Sequence, residues 1–357
     1  MLARIWPARR PDRPRRPGGC CALPVLLVAL ALLLCGCTRQ TEELAVSRSA
    51  VARDWDGTMV FDDPANPFLR PLPDAYRVHP RSAAMIAALQ RSCGRDGTNA
   101  YVTCGQYSIP VYLADSPGRG HDVPIGIYRP AGKRRICGVP LVPGAAAAAG
   151  SDRHYAVIDA GRSIVHEFWL FDGRSAGGGN CIPLHSNGIY ADGRSSIAAG
   201  WSSLQGLIWP RELRAGAIRH ALVFACSITD ADRHVPPATH HDGSLRGSDD
   251  AIPEGTLIRI RPDADLDSLA DIPDVDRTIY RALQRYGMYC GDTCGAGLAL
   301  RAVAAQSLPD GAWPDGFDLR SDLGSHTLPR FPFHLLEVVD SESMPTEPGV
   351  AGCAKWE

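Results

Sequence analysis

A short part of this sequence gathers the residue types that acid–base chemistry on a sugar requires. Asp152, Arg153 and His154 stand immediately before an apolar string, and Glu167 and Trp169 lie in the next one. If the two strings pair as neighbouring strands, these groups meet across them. Side chains alternate along a strand, so His166 and Phe168 point one way while Glu167 and Trp169 point the other. A carboxylate beside a large aromatic on one face suits a sugar cleft. The ring stacks on the aromatic, and the hydroxyls bond to the carboxylate. His220 opens a further apolar string after Gly216, and Tyr286 and Asp292 flank Gly287 and Cys290. Two carboxylates about 5–10 Å apart perform glycoside hydrolysis. Tyr or His as base and acid, with Arg neutralising a uronate, performs β-elimination. The catalytic candidates are therefore Asp152, His154, Glu167, His220, Tyr286 and Asp292. Trp169, Trp201, Arg153 and Arg219 are the candidates for holding the sugar. The same residues admit a second reading, with Glu167 salt-bridged at a sheet surface over a core Trp and His220 bonded to backbone. That would describe a non-catalytic glycan-binding or structural envelope protein.

Other chemistries have less behind them. His234, His240, His241 and Asp242 could ligate a metal, but their spacing fits no ligand motif, and the polar stretch 229–250 reads as a long solvated loop. No metal and no cofactor is expected. The sequence has no GxSxG or HExxH, which ranks esterase and peptidase functions low, and it has no Walker-type phosphate loop.

The elements that must position the candidates read as mainly β, a sandwich or jelly-roll-like fold with a few short helices. Apolar strings bounded by turn residues occur at 109–115, 124–130, 155–160, 163–172, 220–228, 256–262 and 334–340. Asp159-Ala160-Gly161-Arg162 suits a hairpin turn between the third and fourth. The segment 81–91 predicts a helix with Ser82 as its cap and Met85, Ile86 and Leu89 on one face. The segment 275–286 predicts another, with Ile279, Leu283 and Tyr286 on one stripe and Gly287 as a left-handed cap. A short helical turn is expected at 209–214.

The N-terminus carries Arg4, Arg9, Arg10, Arg13, Arg15 and Arg16, then an apolar run at 22–34 ending in Leu34-Cys35-Gly36-Cys37. A positive region, a short apolar core and a small-residue cleavage zone define a secretory signal. A small residue before cysteine resembles a bacterial lipobox, with Cys37 as the lipidated residue. The alternative for 18–38 is an uncleaved membrane anchor, since a span takes roughly 20 residues. Thr38 after Cys37 directs a lipoprotein to the outer membrane by the usual sorting rule. The expected organisation is a signal at 1–37, a tether at 38–63 and a single β-rich, disulfide-containing domain at 64–357. A net charge of -2 argues against a nucleic-acid partner. The expected partners are a glycan and, through the lipid anchor, a membrane. Eight cysteines lie beyond the signal, an even number that reads as disulfides in an exported chain. Close spacing suggests Cys93–Cys104 and Cys290–Cys294 as local pairs.

Several stretches together resemble a group of secreted bacterial proteins. They are NPFLRPLP (66–73), VHPRSAAMIAAL (78–89), PVYLAD (110–115), SDRHYAVID (151–159), EFW (167–169), GLIWPREL (206–213), GAIRHALVF (216–224) and ALQRYGMYCGD (282–292). The resemblance spans most of the chain after the signal. It implies an exported, β-rich, carbohydrate-active domain.

Overall fold

The hairpin predicted at Asp159 is where the architecture starts. A computed structural model describes residues 61–357, apart from 75, 95–98, 115–119, 130, 296, 320–323, 347 and 353–355. The signal segment, Cys37 and the tether up to residue 60 lie outside the described residues. Strands β1 (Ala100–Thr103), β2 (Val111–Ala114), β3 (His121–Tyr128), β4 (Arg135–Val139), β5 (Tyr155–Asp159), β6 (Ile164–Trp169) and β7 (Ala176–Pro183) come first in the chain. Then follow β8 (Leu222–Cys226), β9 (Thr229–His234), β10 (Ile252–Glu254), β11 (Leu257–Ile260), β12 (Met288–Thr293), β13 (Leu298–Arg301), β14 (Ser325–Thr327) and β15 (Leu336–Val338). Strands β5 and β6 pair antiparallel with Asp159 opposite Ile164. The Asp159 carboxylate closes the turn by accepting from Arg162 N at 3.0 Å and pairing with its guanidinium at 2.6 Å.

The fold is mainly β and sandwich-like. A six-stranded mixed sheet has the order β2-β5-β6-β7-β3-β4, a seven-stranded one the order β14-β1-β13-β8-β12-β11-β15, and β9 pairs with β10. Ile109 bridges to Val303 and Ile208 to Ala302, which ties the two larger sheets together just past the end of β13. Between them, Ile109, Val111, Ile158, Val165 and Ile182 pack with Leu204, Leu207, Trp209 and Val303. Strand β8 is buried along its whole length, as its uninterrupted apolar string requires of a central strand.

Helices α1 (Ser82–Ser92), α2 (Pro210–Arg214) and α3 (Asp274–Arg285) complete the described chain. Met85, Ile86 and Leu89 of α1 join Ile279 and Leu283 of α3 in one core with Phe224, Ile258 and Leu300. Each such buried side chain contributes about 1.5–3 kcal/mol. Gly287 follows α3 at φ +80, in the left-handed region expected of it. Ser82 is not the cap. Arg81 occupies that position, and the Ser82 hydroxyl instead accepts from Val338 N at 2.8 Å, tying α1 to β15.

Three further expectations are corrected. The packed chain already includes Phe61, which is fully buried and donates its N–H to Leu184 O, three residues ahead of the boundary at 64. The stretch 229–250 is not all loop, because β9 pairs with β10 and their order comes from a non-local partner. The local cysteine pairs are not bonded. Cys93, Cys104, Cys290 and Cys294 form no disulfide, nor do Cys137 and Cys226, while Cys181 is disulfide-bonded. Cys104 faces Gly324 O at 3.1 Å, so nearness in sequence did not set its partner.

Candidate functional site

Asp152 and His154 owe their position to an extension of the β5–β6 hairpin. Arg153 takes φ +46, and the carbonyls of Asp152 and Arg153 accept from Leu170 N and Phe171 N at 2.8 and 3.1 Å. This brings 152–154 alongside Trp169. Across β6 the Gly177–Gly178 pair of β7 leaves room for aromatic rings. A Cβ on Gly177 would come within 3.0 Å of the Trp169 ring, and one on Gly178 within 3.3 Å of Tyr128. Tyr128 and Trp169 therefore lie together with ring centroids 5.6 Å apart.

These residues line one side of a cavity of about 200 Å³. The segment 193–198, His240, Asp242, Asp292 and Thr293 line the rest. Asp292 reaches it because β12 carries a bulge. The register against β8 shifts between Cys290 and Asp292, and a Cβ on Gly291 would meet Val223 and Trp201 within 3 Å. The Gly291 carbonyl also accepts from Ala199 N at 3.1 Å, which anchors the wall segment to the same bulge.

Asp292 sits in a network of charges. Its Oδ2 meets Arg301 Nη2 at 2.5 Å, and its Oδ1 accepts from Thr293 N at 2.9 Å. Thr293 Oγ1 donates to Asp242 Oδ1 at 3.1 Å, and Asp242 N donates to Glu254 Oε1 at 3.5 Å. Burial raises the Asp292 carboxyl, Arg301 lowers it and Asp242 raises it, leaving it pushed up to about 6. Glu254 is fully buried, and burial followed by the charges of Asp292 and Asp242 pushes it up to about 10. It is a neutral carboxylic acid at neutral pH, and its Oε2 has no hydrogen-bond partner.

His154 lines the cavity with 2 % of its surface exposed. Burial, then the neighbouring Arg301, lower it to about 3, so its imidazole is neutral. One ring nitrogen bonds to the main chain of Phe168, while Nδ1 has no protein partner. Nδ1 is thus an acceptor in the neutral tautomer. The groups present supply a carboxyl able to give up a proton near neutrality, carboxylates facing the cavity, a neutral imidazole and an aromatic pair.

The structure thus brings Asp152, His154, Trp169 and Asp292 together. Glu167 is not on the cavity surface. It is fully buried beneath it, where it accepts from Ser202 Oγ at 2.6 Å, Ser203 N at 2.8 Å, Ser203 Oγ at 3.0 Å and Ser196 N at 3.4 Å. Burial raises its carboxyl and these four donors oppose the rise. Its role is positional, holding the 195–203 segment against β6. His220 lies elsewhere, with Nε2 3.0 Å from Glu212 Oε1 and Nδ1 2.9 Å from Ala221 O. Helix α2 brings Glu212 to it, a partner eight residues away that no strand pattern signals. Tyr286 packs beside the core of Phe68, Trp201 and Tyr289. Trp201 is itself fully buried there, 5.3 Å from Phe68, and offers no face to a sugar. Arg153 and Arg219 are exposed and do not line the cavity.

Sequence reasoning missed Tyr128, Glu254 and Arg301, and considered His240 and Asp242 only as metal ligands on a solvated loop. A buried Arg ending the apolar string LALR was a readable signal, because such a charge demands a buried partner. Among the described residues, no group of three or more His, Cys, Asp or Glu is arranged to hold a metal ion. The chain matches no family model, and no curated protein or solved structure is significantly similar to it.

Proposed function

We propose that this chain is an exported, lipid-anchored protein of the bacterial cell envelope that hydrolyses a glycosidic bond in the cavity. Asp292 is the proton donor to the leaving oxygen, and Asp152, carried by the other sheet, is the second carboxylate. The observation that carries this reading is that a carboxyl pushed up to about 6 shares one cavity with the Tyr128–Trp169 ring pair. A proton donor near its working pH and an aromatic platform are the two needs of glycoside hydrolysis. Hydrolysis is favoured over β-elimination because Arg301 does not line the cavity and pairs through Nη2 with Asp292, while Arg194, which does line it, donates to the Asp192 carbonyl.

The test is incubation of the full chain with a panel of polysaccharides. New reducing ends without an unsaturated, ultraviolet-absorbing product are expected. Asp292→Asn and Asp152→Asn should each lower turnover by about 10²-fold or more, the usual cost of losing a general acid or base. Binding without cleavage would instead make the protein a glycan binder. Equal turnover in both variants would remove these residues from the reaction. The anchor is tested separately, by labelling with a palmitate analogue, which Cys37→Ser should abolish.

A further inference from the structure

The charges that face the cavity are unbalanced. Among the described residues, the acidic side chains that line it are Asp152, Asp242 and Asp292, against one guanidinium, that of Arg194. Arg194 Nη1 already donates to the main-chain carbonyl of Asp192 at 3.2 Å. Arg301 stands behind Asp292 and is bonded to it. His240, on the rim, has its Nδ1 3.1 Å from the Ala198 carbonyl. A second, independent feature points the same way. The Nδ1 lone pair of His154 has no partner, although the side chain is 2 % exposed and lines the cavity. The third is the Tyr128–Trp169 pair, whose ring faces attract cations as well as the apolar faces of sugars.

From these we infer that the cavity takes a glycan with free amino groups, a hexosamine in its ammonium form, and turns away uronates. The inference rests on the glycan reading above and deepens it by naming the class of sugar. An ammonium is a triple donor with no acceptor, and it needs oxygens or a bare nitrogen around it. The cavity supplies the Asp152 and Asp242 carboxylates, with the aromatic pair to stack the ring and the buried His154 imidazole in its wall. A uronate brings acceptors to acceptors and a negative charge to negative charges. An N-acetylated sugar replaces the ammonium by an amide, losing its charge and two of its three donors.

The experiment is calorimetric titration of the full chain with three probes of equal length, glucosamine oligomers, N-acetylglucosamine oligomers and oligogalacturonate. The expected result is that the glucosamine oligomer binds at least about tenfold more tightly than its acetylated counterpart. That advantage should shrink at high salt, as screened charge pairs require. Asp152→Asn should reduce the advantage, and Trp169→Ala should weaken binding of both oligomers. Both variants are checked for an unchanged melting temperature, and Tyr128→Ala replaces either one that fails to fold. If the acetylated oligomer binds as well, or the uronate binds, the amino-sugar assignment is overturned while the glycan reading stands. If no probe binds and no polysaccharide of the panel is cleaved, both fall together.

Discussion

Asp292 Oδ2 and Arg301 Nη2 meet at 2.5 Å across two strands, β12 and β13, that are not neighbours in their sheet. Strand β8 lies between them, and the bulge at Gly291 is what turns the carboxylate toward the cavity. The pair keeps a partly buried carboxyl from being as weak an acid as burial alone would make it. Arg301 also discourages a proton on His154.

This coupling has a measurable sign. As proton donor, Asp292 acts in its protonated form, so kcat/KM should fall as pH rises through about 6. Arg301→Gln removes the charge that lowers the carboxyl, so the fall should move to higher pH. Carbon-13 titration of the Asp292 carboxyl provides the same reading without a substrate. A midpoint that stays near 6 in the variant would show that Arg301 does not tune this group.

Glu254 makes the opposite demand on stability. Its folded-state value, about 10, lies above the unfolded one, so its stability contribution is present below about 4.5 and lost as pH rises through the folded value. Glu254→Gln removes the titration while keeping an oxygen for Asp242 N. Its melting temperature should match wild type near pH 4 and exceed it near pH 8. An unchanged difference between the two pH values would mean that Glu254 is already ionised in the folded protein.

The His220–Glu212 pair is structural and should behave so. Burial alone would lower His220, but the Glu212 carboxylate and the Ala221 carbonyl more than reverse this, so the histidine is raised. A raised histidine contributes stability fully below its unfolded value of about 6.5 and loses it as pH climbs through the folded one. His220→Asn should cost about 1–3 kcal/mol near pH 6, less at pH 9, and leave glycan binding unchanged. Loss of binding at full folding would return His220 to the site.

The thiols offer a test of the packing. Cys93, Cys104, Cys226 and Cys290 are buried, and burial pushes the first two up to about 12. Iodoacetamide on the native protein should therefore modify Cys137 and Cys294, which are partly accessible, and spare these four. Denaturant without reductant should expose all six, and Cys181 should react only after reduction. Rapid native labelling of Cys226 or Cys290 would contradict the order of the central strands.

Local pattern was enough for the elements with local causes. The alternating string at 163–172 and the turn residues Asp159 to Arg162 specified the β5–β6 hairpin, and with it the nearness of Asp152, His154 and Trp169. The 3.6-residue periodicities read at 81–91 and 275–286 specified α1 and α3, with Met85, Ile86, Leu89, Ile279 and Leu283 buried as expected, while Tyr286 caps α3 outside its buried stripe. Strand β7 escaped notice because its glycines carry no apolar signal, and they are required by rings that arrive from β3 and β6. The orientation of Glu167 shows the limit of periodicity. Alternation assigned it to the face of Trp169, but only the serines at 196, 202 and 203, brought by a distant segment, turned a cleft carboxylate into a buried anchor. Arg301 and Glu254 reach the site through the pairing of strands far apart in the chain, and Trp201 left it because Phe68 and Tyr289 enclose it. Hydrogen-bond reach of a few ångströms is decided by strand register and packing between sheets, and composition and spacing within one segment hold no record of either.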